Sequence, residues 1–232
     1  KAVGYERLYR VDLVPDATFP GDRAWAVAHE ASDADGSDWA HCSNFIRGAK
    51  SPALMAVQIA TQGNQMSLSH PAQAPLTVTL PEDAPALIDW LLPLNAPKRA
   101  LPQRLVQSVI RGMTDAPSTT VSVLSTASMT ALSQRAGLPL TKPRFRGNIW
   151  VDGLDAWEEE DWVGKTVSLG PCTLEIVERI ERCTSLNGNP DTGLPDIDLL
   201  SILEESPGAG CFGVLGRVVT GGPLAIGDPV QR

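Results

Sequence analysis

Proline and glycine break this chain so often that long helices cannot carry its fold. Among 232 residues there are 20 glycines and 19 prolines. Each proline removes a backbone donor and each glycine weakens a helix interior, so bundles and coiled coils are disfavoured. Short strands joined by turns are what such punctuation allows. The apolar content of 43% with 20% charged residues belongs to a folded chain, not a disordered one. A length of 232 residues suits one large domain, or a core domain with an appended subdomain.

The residue pattern agrees. Leu8 to Val14 alternates apolar and polar residues, Ala24 to His29 follows a Pro-Gly-Asp turn, and Leu76 to Leu80 reads Leu-Thr-Val-Thr-Leu; all three predict strands. Leu54 to Ala60 is a further apolar run, and Ala31 to Asp38 is a small acidic loop. Glu82 to Leu92 predicts a short helix with Asp83 near its start and Pro93 at its end. Leu101 to Met113 predicts a helix or a covering loop. Later, Val121 to Leu124 predicts a strand, and Ser125 or Thr126 caps a helix ending at Gly137. Strands are expected at Asn148 to Val151, Thr166 to Leu169, Thr173 to Val177, Phe212 to Val219 and Leu224 to Val230. A short helix capped by Asp196 or Asp198 is expected to end near Glu205. The fold class is therefore mainly β with short helices (α+β), with a closed or partly closed barrel at its core.

Composition excludes several functions. The formal charge of −8 argues against a protein that coats nucleic acid. No apolar run reaches membrane-spanning length, and no signal-peptide pattern follows Lys1, so no membrane partner is expected. Cys42, Cys172, Cys183 and Cys211 form no C-x-x-C pair, which favours reduced thiols and a cytoplasmic setting. His29, His41 and His70 lack metal-ligand spacing. Gly208 to Gly213 matches G-x-G-x-x-G, but the pattern follows a helix and precedes a strand; it reads as a tight strand entry. The run Glu158 to Asp161 reads by default as a solvated helical face.

The chemistry-bearing residues cluster elsewhere. Arg144, Arg146 and Asn148 flank a strand, and Arg182-Cys183 precedes the turn-rich loop Asn187 to Gly193. Positive charge beside a cysteine favours its thiolate, a soft metal ligand. On the residues alone, a structural cysteine and a ligand both remain open.

The ordered set of Gly-Asp-Arg at 21–23, Phe-Arg-x-Asn at 145–148, Arg182-Cys183, Asn-Pro-x-Thr-Gly at 189–193 and the terminal Gly-Asp-Pro-Val resembles the MOSC domain family. That family is named for the C-terminal domain of molybdenum cofactor sulfurases, and the order is that of its amidoxime-reducing branch. The resemblance implies a MOSC-type β-barrel at 96–232 packed with an N-terminal MOSC-associated β region at 1–95. It implies a bound molybdenum cofactor (Mo-molybdopterin), with Cys183 as the metal ligand and catalytic residue. It assigns Lys1, Arg23, Ser118, Thr119, Arg146, Asn148 and Arg182 to cofactor binding. It further implies a small-molecule substrate of the N-hydroxylated class and a separate ferredoxin- or flavin-type electron-transfer protein. A non-catalytic carrier of the cofactor or of sulfur is the alternative, and a barrel binding another anion is the bland one. Three departures stand out: Ile180 replaces a first cysteine, Gly147 replaces proline, and Asn189 replaces aspartate.

Overall fold

The computed structural model describes residues 10–109 and 111–231. In chain order the strands are β1 (Arg10–Leu13), β2 (Trp25–His29), β3 (Gln58–Gln62), β4 (Gln65–His70), β5 (Gln73–Thr79), β6 (Pro102–Gln107), β7 (Val121–Ser125), β8 (Ile149–Val151), β9 (Thr166–Leu169), β10 (Cys172–Glu181), β11 (Cys211–Thr220), β12 (Gly222–Ala225) and β13 (Val230–Gln231). The α-helices are α1 (Ala84–Leu91), α2 (Thr126–Ala136), α3 (Lys142–Phe145) and α4 (Leu199–Glu204). The protein is mainly β with short helices, as the density of breakers predicts. No described helix is long and apolar enough to cross a membrane. The chain divides into two units that exchange segments along the sequence.

The first unit comprises residues 21–109, 111–117 and 187–197. It holds the antiparallel pair β2–β6 and the antiparallel meander β3–β4–β5. Its larger core joins Leu68 and Val78 of the meander to Leu87 and Leu91 of α1. Burying such side chains contributes about 1.5–3 kcal/mol each. Asp83 does stand at the start of α1, but its Oδ2 accepts from the Thr79 amide at 2.8 Å and not from the helix. Leu101 to Met113 is neither helix nor loop throughout: residues Pro102 to Gln107 form β6, paired with β2 from Trp25↔Gln107 to His29↔Pro102. The β3–β4 hairpin turns at Gly63, whose φ is +62°.

The second unit comprises residues 10–20, 118–186 and 198–231. Its centre is a nearly closed six-stranded sheet in the order β13-β9-β10-β11-β7-β8. Only β7–β8 is parallel; such a pair needs a crossover, and α2 supplies it. That helix starts and stops as its sequence predicts. Ser125 Oγ accepts from the Ser128 amide, and Gly137 closes the helix at a φ of +68°. Asp198, not Asp196, caps α4. The glycine-rich Gly208 to Gly213 stretch leads directly into β11. Trp162, Phe145, Phe212, Leu124 and Leu132 are fully buried here.

The acidic run is not a solvated face. Glu158–Trp162 is a 3-10 helix, and Glu159 is 0% exposed. Glu159 Oε2 accepts from the Ser128 hydroxyl at 2.7 Å, while Ser128 Oγ accepts from the Trp157 amide at 2.8 Å. Glu160 is paired with Arg179, which also donates to the Gly208 carbonyl at 3.2 Å. Burial raises the pKa of Glu159 above the ordinary carboxylate range, and the neighbouring Glu158 adds to the shift against the Ser128 hydrogen bond. A carboxyl whose folded pKa is raised binds its proton more tightly when folded. Its contribution is therefore complete below the unfolded pKa and is lost as pH rises through the folded value. Glu159→Gln is expected to remove that loss. Urea midpoints measured from about pH 5 to about pH 8 should fall for the wild type relative to the variant. A difference that does not change with pH would show that Glu159 is not protonated on folding.

Candidate functional site

Four of the sequence-predicted residues, Arg146, Asn148, Arg182 and Cys183, lie on two segments of the second unit, and hydrogen bonds join those segments. The first segment is α3 and the residues after it. Thr141 precedes the helix in extended conformation, Pro143 fits its first turn, and Arg146 ends it at φ 55°, ψ 37°. That left-handed conformation is uncommon for a residue with a side chain. It turns the chain so that Gly147 lies against Leu124: a Cβ at Gly147 would stand 2.4 Å from Leu124 Cδ1. The departure from proline at this position thus answers to close packing on β7. The next residue, Asn148, is bonded to Ser122 three times. Its Oδ1 accepts from the Ser122 amide at 2.9 Å and from the Ser122 hydroxyl at 2.8 Å, and its own amide donates to Ser122 Oγ at 2.8 Å. Asn148 therefore sets the entry of β8 beside β7.

The second segment leaves β10. The Arg182 amide donates to the Gly210 carbonyl at 3.1 Å, and the Leu186 amide donates to the Cys183 carbonyl at 3.1 Å. Cys183 is exposed, and its Sγ lies 3.1 Å from Ser185 Oγ. Two arginines tie the segments together. Arg144, only 3% exposed, donates from Nη1 to the Leu186 carbonyl at 2.9 Å. Arg182 donates from Nη2 to the Phe145 carbonyl. Phe145 is anchored by stacking on Phe212, with centroids 4.3 Å apart and planes at 24°.

Ser118 and Thr119 lead into β7 ahead of Ser122; among the described residues, neither is hydrogen-bonded to the Cys183 turn. Arg23 belongs to the first unit. It adopts a φ of 53° and donates to Asp115 Oδ2 at 3.0 Å. Lys1 lies outside the described residues. The loop with Asn189 is also in the first unit. There Asn189 Oδ1 accepts from the Asp191 amide at 2.8 Å, as an aspartate would, while its Nδ2 donates to Asp196 at 2.8 Å, which an aspartate could not do. A cavity of about 460 Å³ in the second unit is lined by Trp157, Glu160 and Arg179 among others, and by none of the predicted site residues.

Two contributors were not singled out from sequence: Ser122 holds Asn148, and Ser185 contacts the Cys183 thiol. Arg144, marked in the sequence as a cation, donates to a backbone carbonyl. Ser185 alone carried a signal, since a hydroxyl two residues after a cysteine on a turn is within reach of its sulfur.

The model of the MOSC domain matches residues 111–231, which is more than half of the chain and takes in every segment of this junction. The chain belongs to the MOSC domain family. It is 30% identical over 127 residues to mitochondrial amidoxime reducing component 2 of Rattus norvegicus, covering 48% of this chain and 36% of the relative. The human protein of the same name is 30% identical over 125 residues, covering 47% and 36%. This MOSC chain thus spans about a third of the length of those curated relatives. Among solved structures, YiiM from Geobacillus stearothermophilus is 20% identical with a TM-score of 0.36, covering 47% of this chain and 52% of that one. The YUAD protein from Bacillus subtilis is 10% identical with a TM-score of 0.41, covering 96% and 84%.

Proposed function

We propose that this MOSC protein binds molybdenum cofactor and reduces N-hydroxylated compounds with electrons from a separate partner protein. The single observation that carries the reading is the exposed Cys183 on a turn fixed by hydrogen bonds to the Arg144–Asn148 segment. An accessible thiol on a braced turn fits a soft metal ligand. The donor chemistry fits the rest of the cofactor. Arg146, with hydroxyls from Ser118 and Thr119, suits the pterin and its phosphate, and Asn148 keeps Arg146 in register. Arg182 precedes the thiol in sequence, and the family resemblance assigns Arg23 and Lys1 to the same cofactor. The division into a companion region at 1–95 and a MOSC domain at 96–232, and a cytoplasmic setting, belong to the same reading.

When bound, the molybdenum centre supplies two-electron redox chemistry. The chain's part is to hold that group through Cys183 and to leave the exposed face of the turn open to a small substrate. Reduction of an N-hydroxylated compound uses two electrons and two protons and releases the amine and water. The electrons are assigned, as the family resemblance implies, to a separate partner such as a ferredoxin or flavin protein.

The test uses full-length protein purified from a host that makes the cofactor. Molybdenum and the fluorescence of the oxidised pterin are measured, then amidoxime reduction with an artificial electron donor. Molybdenum, pterin and turnover together are expected. Absence of molybdenum with the host pathway intact would overturn the reading. Full loading without turnover would replace the reductase by a cofactor carrier.

A further inference from the structure

The junction around Cys183 has a feature that neither the family match nor the sequence motifs assign. Two arginines of the junction, Arg144 and Arg182, each donate to a backbone carbonyl of the opposite segment. Arg144 donates to the Leu186 carbonyl at 2.9 Å and Arg182 donates to the Phe145 carbonyl. Phe145 follows Arg144 directly, and Leu186 closes the turn that begins at Arg182. The two bonds thus cross between the same two segments in opposite directions.

We propose that Arg144 and Arg182 are positioning residues, a reciprocal clamp that presets Cys183. Each end of the clamp is seated in the core. Phe145 and Leu186 are both 0% exposed, so neither carbonyl can drift without disturbing packed side chains. The Leu186 amide also donates to the Cys183 carbonyl at 3.1 Å, which passes the constraint on to the cysteine. A guanidinium bonded to a carbonyl away from bulk water makes a strong, directional contact. Arg144 does this at 3% exposure, where loss of its partner would leave a buried charge unmatched. Holding a ligand residue in place before the ligand arrives lowers the ordering cost of binding. The proposal deepens the cofactor reading and gives Arg182 its role through Cys183 instead of through an anion.

Native-state amide hydrogen exchange on the full chain without cofactor tests the clamp. The variants are Arg144→Gln, Arg182→Gln, the double variant and Arg144→Lys. Either glutamine variant is expected to speed exchange at both segments, the Leu186 amide included, by at least about ten-fold. Amides of β9 should keep their protection. The double variant should add little to either single one, because both bonds hold the same junction. Arg144→Lys keeps one donor and should restore most of the protection. If Arg144→Gln does not fold, Arg182→Gln and Arg144→Lys still decide the matter. Faster exchange confined to one segment, or spread evenly over the chain, would overturn the clamp.

A second readout follows the cysteine. Protein loaded in a cofactor-making host should hold several-fold less molybdenum in the glutamine variants, with Arg144→Lys near the wild type. Unchanged loading would overturn the presetting of Cys183. Wild-type protein without molybdenum would overturn the cofactor reading, and the exchange pattern would still stand or fall by itself.

Discussion

Cys183→Ser, made in a host that produces molybdenum cofactor, is expected to carry at least about ten-fold less molybdenum than the wild type, a loss worth about 1.4 kcal/mol of binding or more. Cysteine sulfur is a soft donor that binds metal as thiolate, whereas a serine oxygen is hard, so the substitution removes the soft donor with almost no change in shape. The same change should leave melting within a degree or so, because substitutions at exposed positions usually shift stability by less than about 0.5 kcal/mol. Cys183 is exposed, and its Sγ lies 3.1 Å from Ser185 Oγ on its own turn. Cys211→Ser is the matched control, half-buried at the start of β11. Molybdenum lost from Cys183→Ser alone would bear out the ligand assignment. Equal loading in both variants would place the ligand elsewhere, and a parallel loss of melting temperature would make Cys183 a structural residue.

The elements that could be read from the sequence are those whose signals are local. Ser125 and Gly137 bound α2 because a hydroxyl cap and a left-handed glycine act on the backbone within one turn. The strands at Val121, Thr166 and Phe212 were legible because their burial alternates or runs continuously over a few residues. β6 was not legible. Its burial runs Pro102 in, Gln103 out, Arg104 and Leu105 half-in, Val106 in, Gln107 out, a pattern with neither period, and it is a strand because β2 pairs with it. Glu159 failed for a related reason. Charge in sequence says solvent, but a 3-10 turn starting at Trp157 aims one carboxyl of the run at Ser128 on α2. In the site, Cys183, Arg146 and Asn148 were marked by residue type and order. What holds them was not, because the acceptors of the clamp are backbone carbonyls, and a carbonyl leaves no trace in the identity of Phe145 or Leu186. The separate placement of Arg23 in the first unit likewise follows from which segments fold together, which no motif encodes.

Phe145→Ala is expected to cost about 3–5 kcal/mol, a large share of the roughly 5–15 kcal/mol that stabilises a domain. The side chain is 0% exposed, stacks on Phe212 at 4.3 Å and meets the edge of Trp150 at 5.9 Å. Removing the ring leaves a void that the fully buried Phe212 cannot fill without leaving its rotamer. Both the transfer energy and the cavity therefore count against the variant. Phe145 also sits between Arg144 and Arg146, so the void opens beneath the segment that faces Cys183. Phe145→Leu keeps most of the volume and should lose much less. Urea unfolding with an unchanged slope measures the difference. A loss below about 1 kcal/mol for Phe145→Ala would mean that the surrounding core collapses freely into the space. The segment would then be held by its hydrogen bonds alone. A full loss would mean that the aromatic stack and the arginine bonds fix it jointly, with the hydrophobic anchor setting where the carbonyl stands and Arg182 reading that position into the turn.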